Sequence, residues 1–132
     1  MKTILVIEDE GSIRDAVNSA VKEIGWQTIY CTDISFEIKR IVQHLPDIIV
    51  ADITSLSSEK AGLLMHLKSS PSFSFVPVLL IADSKQRGSK KVNMKNLFDD
   101  GLIYCLSKPF TNEELLTLIK TIIKQTETIN PW

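Results

Sequence analysis

The chain has 132 residues, 44% of them hydrophobic, enough for one compact domain and too few for a second folded unit. Fifteen Lys and Arg against sixteen Asp and Glu give a formal charge of -1, so no global charge draws the chain toward nucleic acid or an anionic membrane. The opening apolar run, Ile4-Leu5-Val6-Ile7, is far too short for a signal sequence or a membrane span, and a cytoplasmic location without membrane contact is expected.

In chain order, short β-branched apolar runs alternate with longer segments of helical period. That alternation is the mark of βαβ units around a parallel sheet. The predicted strands are Ile4 to Ile7, Thr28 to Cys31, Ile48 to Ala51, Val78 to Ala82 and Ile103 to Leu106, several of them apolar on successive residues, as strands buried on both faces require. Helix one is predicted from Ser12 to Ile24, with Ile13, Ala16, Val17, Ala20, Val21 and Ile24 on one face and Gly25 as its C-terminal cap. Helix two, Ile34 to His44, stops before Pro46, and helix three, Glu59 to Ser69, stops before Pro71, because proline cannot continue a helix. A fourth helix is predicted around Val92 to Asp100. The fifth begins at a capping box, Thr111 with Glu114, followed by the stripe Leu115, Leu118, Ile119, Ile122 and Ile123.

The expected domain therefore spans residues 1–126, with a polar tail over 127–132 that frays. Five such units most often make a single doubly wound five-stranded parallel sheet, order 2-1-3-4-5, flanked by five helices in the flavodoxin-like α/β class. Cys31 and Cys105 lie in apolar segments without metal-ligand spacing and are expected to be small core residues with free thiols. His44 and His66 have no partner at ligand spacing.

Ligands of doubly wound sheets bind beside the carboxyl ends of the strands. There Glu8 and Asp9 follow strand one, Asp52 follows strand three, and Lys108 follows strand five after Ser107. Clustered carboxylates repel one another unless a cation sits among them, and hard oxygen donors suit Mg²⁺ rather than zinc. A lysine on the opposite rim offers a compact positive charge to a phosphoryl oxygen. Singly, each acid also reads as an ordinary solvated loop residue or helix N-terminal charge.

Three blocks, Ile4-Leu5-Val6-Ile7-Glu8-Asp9-Glu10, Pro46-Asp47-Ile48-Ile49-Val50-Ala51-Asp52 and Leu106-Ser107-Lys108-Pro109-Phe110, resemble the signature blocks of response-regulator receiver domains, in order and over nearly the whole chain. The resemblance implies Mg²⁺ on Glu8, Asp9, Asp52 and the backbone carbonyl of Thr54. It implies Asp52 as phosphoacceptor and Lys108 as phosphate contact, with the backbone at Ile53 and at Ala82 beside the phosphoryl group and a cis Lys108-Pro109 bond. It further implies a sensor histidine kinase or phosphotransfer protein as donor and a downstream protein bound on the face of helix four, strand five and helix five. Such a domain is not an enzyme in the usual sense, since it catalyses transfer only to its own aspartate. It would act as a monomer or weak homodimer.

The chain departs from the family where the family couples phosphorylation to its output face. Position 82, where the family has Ser or Thr, is Ala, and position 105, where it has an aromatic residue, is Cys. Tyr104 is adjacent, but neighbouring strand residues face opposite ways. After Asp52 the family's Pro and Gly are replaced by Leu56 and Lys60. Lys85, Arg87, Lys90, Lys91 and Lys95 form a basic run that reads as a solvated face or as a dock for an acidic protein; without interleaved aromatics it is poor evidence for nucleic-acid binding.

Three rival functions stand beside the signalling one. A phosphate-independent pseudo-receiver acting as a constitutive interaction module is favoured by Ala82 and Cys105. A small aspartyl phosphatase lacks a cap and a second general acid. A flavodoxin-like cofactor binder lacks a Gly- or Ser/Thr-rich loop after strand one.

Overall fold

The computed structural model describes residues 2–7, 12–31, 45–52, 58–83 and 102–129. Its five strands are β1 (Thr3–Ile7), β2 (Gln27–Cys31), β3 (Ile48–Asp52), β4 (Val78–Asp83) and β5 (Ile103–Lys108). All neighbours pair in parallel, in the order β2-β1-β3-β4-β5, the doubly wound order expected. Among the described residues there are three α-helices, α1 (Ser12–Val21), α2 (Ser58–Ser69) and α3 (Asn112–Ile129). The latter two are the third and fifth predicted from the sequence; the predicted helices over 34–44 and 92–100 lie outside the described residues.

Strand alternation splits the core in two. Ile4, Val6, Ile48, Val50, Leu79 and Ile81 face Ile13 and Val17 of α1 and Leu115, Ile119 and Ile122 of α3. Leu5, Ile7, Ile49, Ala51, Val78 and Leu80 face the other way, onto Leu64 and Leu67 of α2 and onto Phe73. Each fully buried Leu or Ile contributes roughly 1.5–3 kcal/mol against its exposed state, so the two faces together anchor the central strands whose ends form the site.

Several boundaries differ from the sequence reading. The last predicted turn of helix one is a 3-10 turn, Lys22–Ile24, closed by Gly25 at φ 72, whose N–H bonds to the Lys22 carbonyl. This left-handed cap suits glycine and nothing with a Cβ as well. Helix α3 runs on to Ile129, past the start of the predicted polar tail. The Thr126 hydroxyl donates to the Ile122 carbonyl and is absorbed by the helix.

Strands β4 and β5 are longer than predicted, taking in Asp83, Ser107 and Lys108. Cys105 is a correction: it is a free thiol, and it is exposed rather than part of the core. Strand β5 is the sheet edge, paired only to β4, and apolar sequence context does not reveal an edge. Trp26 packs half-buried at the helix end against the α1 and α3 side of the core.

Candidate functional site

The site grows from the register of the sheet. Ile7 ends β1 opposite Ala51, so the chain leaves β1 next to Asp52, the last residue of β3. Asp52 pairs with Ile81 of β4, and Ile81 pairs with Leu106 of β5. One step beyond that row Ala82 stands opposite Ser107, and two steps beyond it Asp83 stands opposite Lys108. The two ends of Asp52 and Lys108 thus meet across β4 at the C-terminal edge of the sheet.

That register is set from the other end of the strands. The Asp47 carboxylate accepts the Thr3 N–H at 2.7 Å, and the Asp47 N–H donates to the Thr3 carbonyl at 2.8 Å. Asp47 thereby locks the start of β3 to the start of β1. The sequence reading noticed Asp47 only as part of a block; its position just after Pro46 and before an apolar strand was the available signal for this role.

Asp52 is 1% exposed, and among the described residues it is the one buried polar or charged side chain. A carboxylate taken out of water is costly unless it is paired and hydrogen-bonded. The Lys108 ammonium donates to its Oδ2 at 2.7 Å while the Lys108 side chain remains 32% exposed. Its charge is therefore shared between the carboxylate and solvent. The peptide bond from Lys108 to Pro109 is cis, as expected. Immediately after it, the capping box forms: the Glu114 N–H donates to Thr111 Oγ1 at 3.0 Å and the Thr111 N–H to Glu114 Oε1 at 3.2 Å. The chain carrying Lys108 is therefore tied into α3 within one turn.

Of the residues singled out in the sequence, Asp52 and Lys108 are brought together. Glu8, Asp9, Ile53 and Thr54, the remaining Mg²⁺ and phosphate candidates, lie outside the described residues, as does the basic run from Lys85 to Lys95. Ala82 is buried at the end of β4 and carries only a methyl group. Tyr104 packs half-buried on the α1 and α3 side, its hydroxyl donating to Gln125 Oε1 at 3.2 Å, so it does not replace the aromatic side chain absent at position 105. His66 is exposed on α2.

Sequence reasoning missed Ser107, which it treated as a spacer. Its hydroxyl is buried and has no hydrogen-bond partner among the described residues. The signal, a hydroxyl residue directly before the site lysine, was in the sequence; its burial was not.

No family model matches the chain. It is 26% identical over 124 residues to the phosphate regulon transcriptional regulatory protein PhoB of Escherichia coli, an alignment covering 94% of this chain and 52% of that protein. The fold is that of the CheY-like response regulator receiver domain protein from Methanospirillum hungatei, with a TM-score of 0.76 at 18% identity over 98% of this chain and 99% of that one. NtrX from Brucella abortus gives 0.78 at 22% identity over 99% of this chain and 29% of that one. Over 94% of its length the chain is similar to response regulators, and its fold is that of their receiver domains. It spans about half the length of the curated relatives it matches. Among the described residues, no helix is long and apolar enough to cross a membrane.

Proposed function

We propose that this receiver domain accepts a phosphoryl group on Asp52 from a sensor histidine kinase or a phosphotransfer protein. The observation that carries the reading is the buried Asp52 carboxylate held by Lys108 at 2.7 Å on the ligand-binding edge of the sheet. An aspartate oxygen attacks phosphorus as the donor's N–P bond breaks, and the donor imidazole leaves neutral after taking up a proton. Lys108 places a positive charge where the equatorial phosphoryl oxygens gather negative charge. The domain catalyses this transfer only to itself.

Glu8, Asp9, Asp52 and the carbonyl of Thr54 would hold Mg²⁺. Asp52 suits such a role, being a hard oxygen donor on a sheet edge next to the point where the chain leaves β1 toward two further carboxylates. When bound, the ion supplies neutralisation of the crowded negative charge. The protein acts in the cytoplasm through a downstream protein partner, as monomer or weak homodimer, without direct nucleic-acid contact. The face that includes β5 and α3 is the surface for that partner.

The test is intact mass after incubation with acetyl phosphate and Mg²⁺. One added phosphoryl group is expected in the wild type and none in Asp52→Asn or without the metal. A second reading, a phosphate-independent interaction module, is favoured by the methyl at Ala82 and by the exposed thiol at Cys105. It becomes the better account if the wild type gains no mass under conditions where Mg²⁺ binding is measured directly.

A further inference from the structure

At the end of the sheet remote from Asp52, the segments that lead into β1, β3 and β4 and the last turns of α3 line a groove of about 480 Å³. Clefts that take up a ligand run to roughly 300–1,000 Å³. Leu45, Pro46, Phe75, Val76 and Ile123 supply its apolar lining. Among the described residues the large exposed hydrophobic side chains are Leu45 at 48%, Met65 at 46% and Phe75 at 56%, and two of these three share this one groove. Apolar side chains scattered singly over a surface need no partner, whereas a cluster in a concave site marks a place that something covers.

The chain carries a fitting cover beside the groove. Ile123, Thr126 and Glu127, at helical i, i+3 and i+4 spacing, line it from α3, and Asn130, Pro131 and Trp132 come directly after the last residue of that helix, Ile129. Three extended residues reach about 10 Å, and Glu127 lies only about 3 Å before Ile129 along the helix axis. Trp132 is therefore within reach without any unwinding of α3. A buried indole needs an acceptor for its N–H, and the groove holds two carboxylates, Asp47 and Glu127. A carboxylate has roughly four lone-pair sites, of which Asp47 gives one to the Thr3 N–H.

We propose that residues 130–132 fold back across this groove and that the Trp132 indole packs against Phe75 and Leu45, its N–H donating to a carboxylate of the groove. Pro131 favours the turn, because the residue before a proline avoids helical backbone. The short tether gives the indole an effective concentration in the millimolar range, which a second copy in dilute solution does not match. The fraying expected of a polar tail gives way because Trp132 has apolar surface to cover. The contact clamps the end of α3 to the turns that start β3 and β4.

The experiment uses Trp26→Phe, which leaves Trp132 as the one tryptophan of the 132 residues, and reads its emission maximum and its quenching by acrylamide. The maximum should be blue-shifted from that of free N-acetyltryptophanamide, and the quenching weaker. Adding Phe75→Ala should return both to the values of the free amide; Phe75 is more than half exposed, so the fold survives that change. In the wild-type background Trp132→Ala should lower the melting midpoint by roughly 4 °C, the worth of one aromatic contact. In a Phe75→Ala background the same substitution should cost much less, since the two side chains act through one contact. Emission and quenching like the free amide overturn the proposal, as does a protected Trp132 that is indifferent to Phe75→Ala. Protection that grows with protein concentration also overturns it and assigns the groove to a second copy of the chain.

Discussion

At the scale of single residues, the Asp52–Lys108 ion pair, which the proposed function uses, also bears on stability. Asp52 is nearly inaccessible while Lys108 is about one-third exposed, so each end of the pair responds differently to deletion. Truncating the lysine to Lys108→Met leaves a buried carboxylate short of its counter-charge, and breaking such pairs costs about 3 kcal/mol. Asp52→Asn removes the charge and leaves a lysine that can turn to water, so its cost is expected to be near zero. Combining the two should recover most of the stability lost in Lys108→Met. Urea denaturation of the three variants checks this, and a double variant no more stable than Lys108→Met would mean that Lys108 acts by packing rather than by charge.

At the scale of elements, the clearest local signal in the sequence is also one of the best-formed features of the structure, the reciprocal Thr111 and Glu114 cap of α3. Thr111→Ala should cost about 1 kcal/mol, lowering the melting midpoint by roughly 4 °C for a domain of this size. Phosphorylation of Asp52 should change less than about twofold, because Leu115, Ile119 and Ile122 still hold α3 to the sheet. Calorimetry beside the mass assay separates the two quantities. Capping and apolar periodicity were legible because both are written over a few adjacent residues. The strand centres were legible for the same reason, while the ends of β4 and β5 were not: Asp83, Ser107 and Lys108 look like loop residues until pairing is known. Asp52 and Lys108 could be nominated from their places after apolar runs. The exposure of Cys105 and the burial of the Ser107 hydroxyl depend on which strand is the edge and what lies opposite, which no local pattern carries.

At the scale of the whole molecule, the end of the sheet remote from Asp52 is closed by a charged cluster that joins the two ends of the described chain. The Lys2 ammonium contacts Glu127 near the end of α3 and lies 3.9 Å from Asp47, whose carboxylate also holds the Thr3 N–H. The hydrogen bond to Glu127 raises the Lys2 pKa above its ordinary value; partial burial opposes the rise, and the charges of Asp47 and Glu127 reinforce it. A lysine whose folded pKa exceeds its unfolded one stabilises the fold fully below the unfolded value of 10.5 and loses that contribution as pH climbs through the folded value. The window is therefore alkaline, and the contribution is constant through neutral pH. All three side chains are at least one-third exposed, so screening limits the effect to about 0.5 kcal/mol. Lys2→Met should lower stability by that amount at pH 7, with the gap to wild type narrowing above pH 10.5, and 1 M salt should shrink it at either pH. A gap that persists unchanged at high pH would show that Lys2 contributes through its alkyl stem. Phosphorylation of Asp52 should be indifferent to the substitution, because Asp47 keeps its bonds to Thr3 and the register that places Asp52 does not need the lysine.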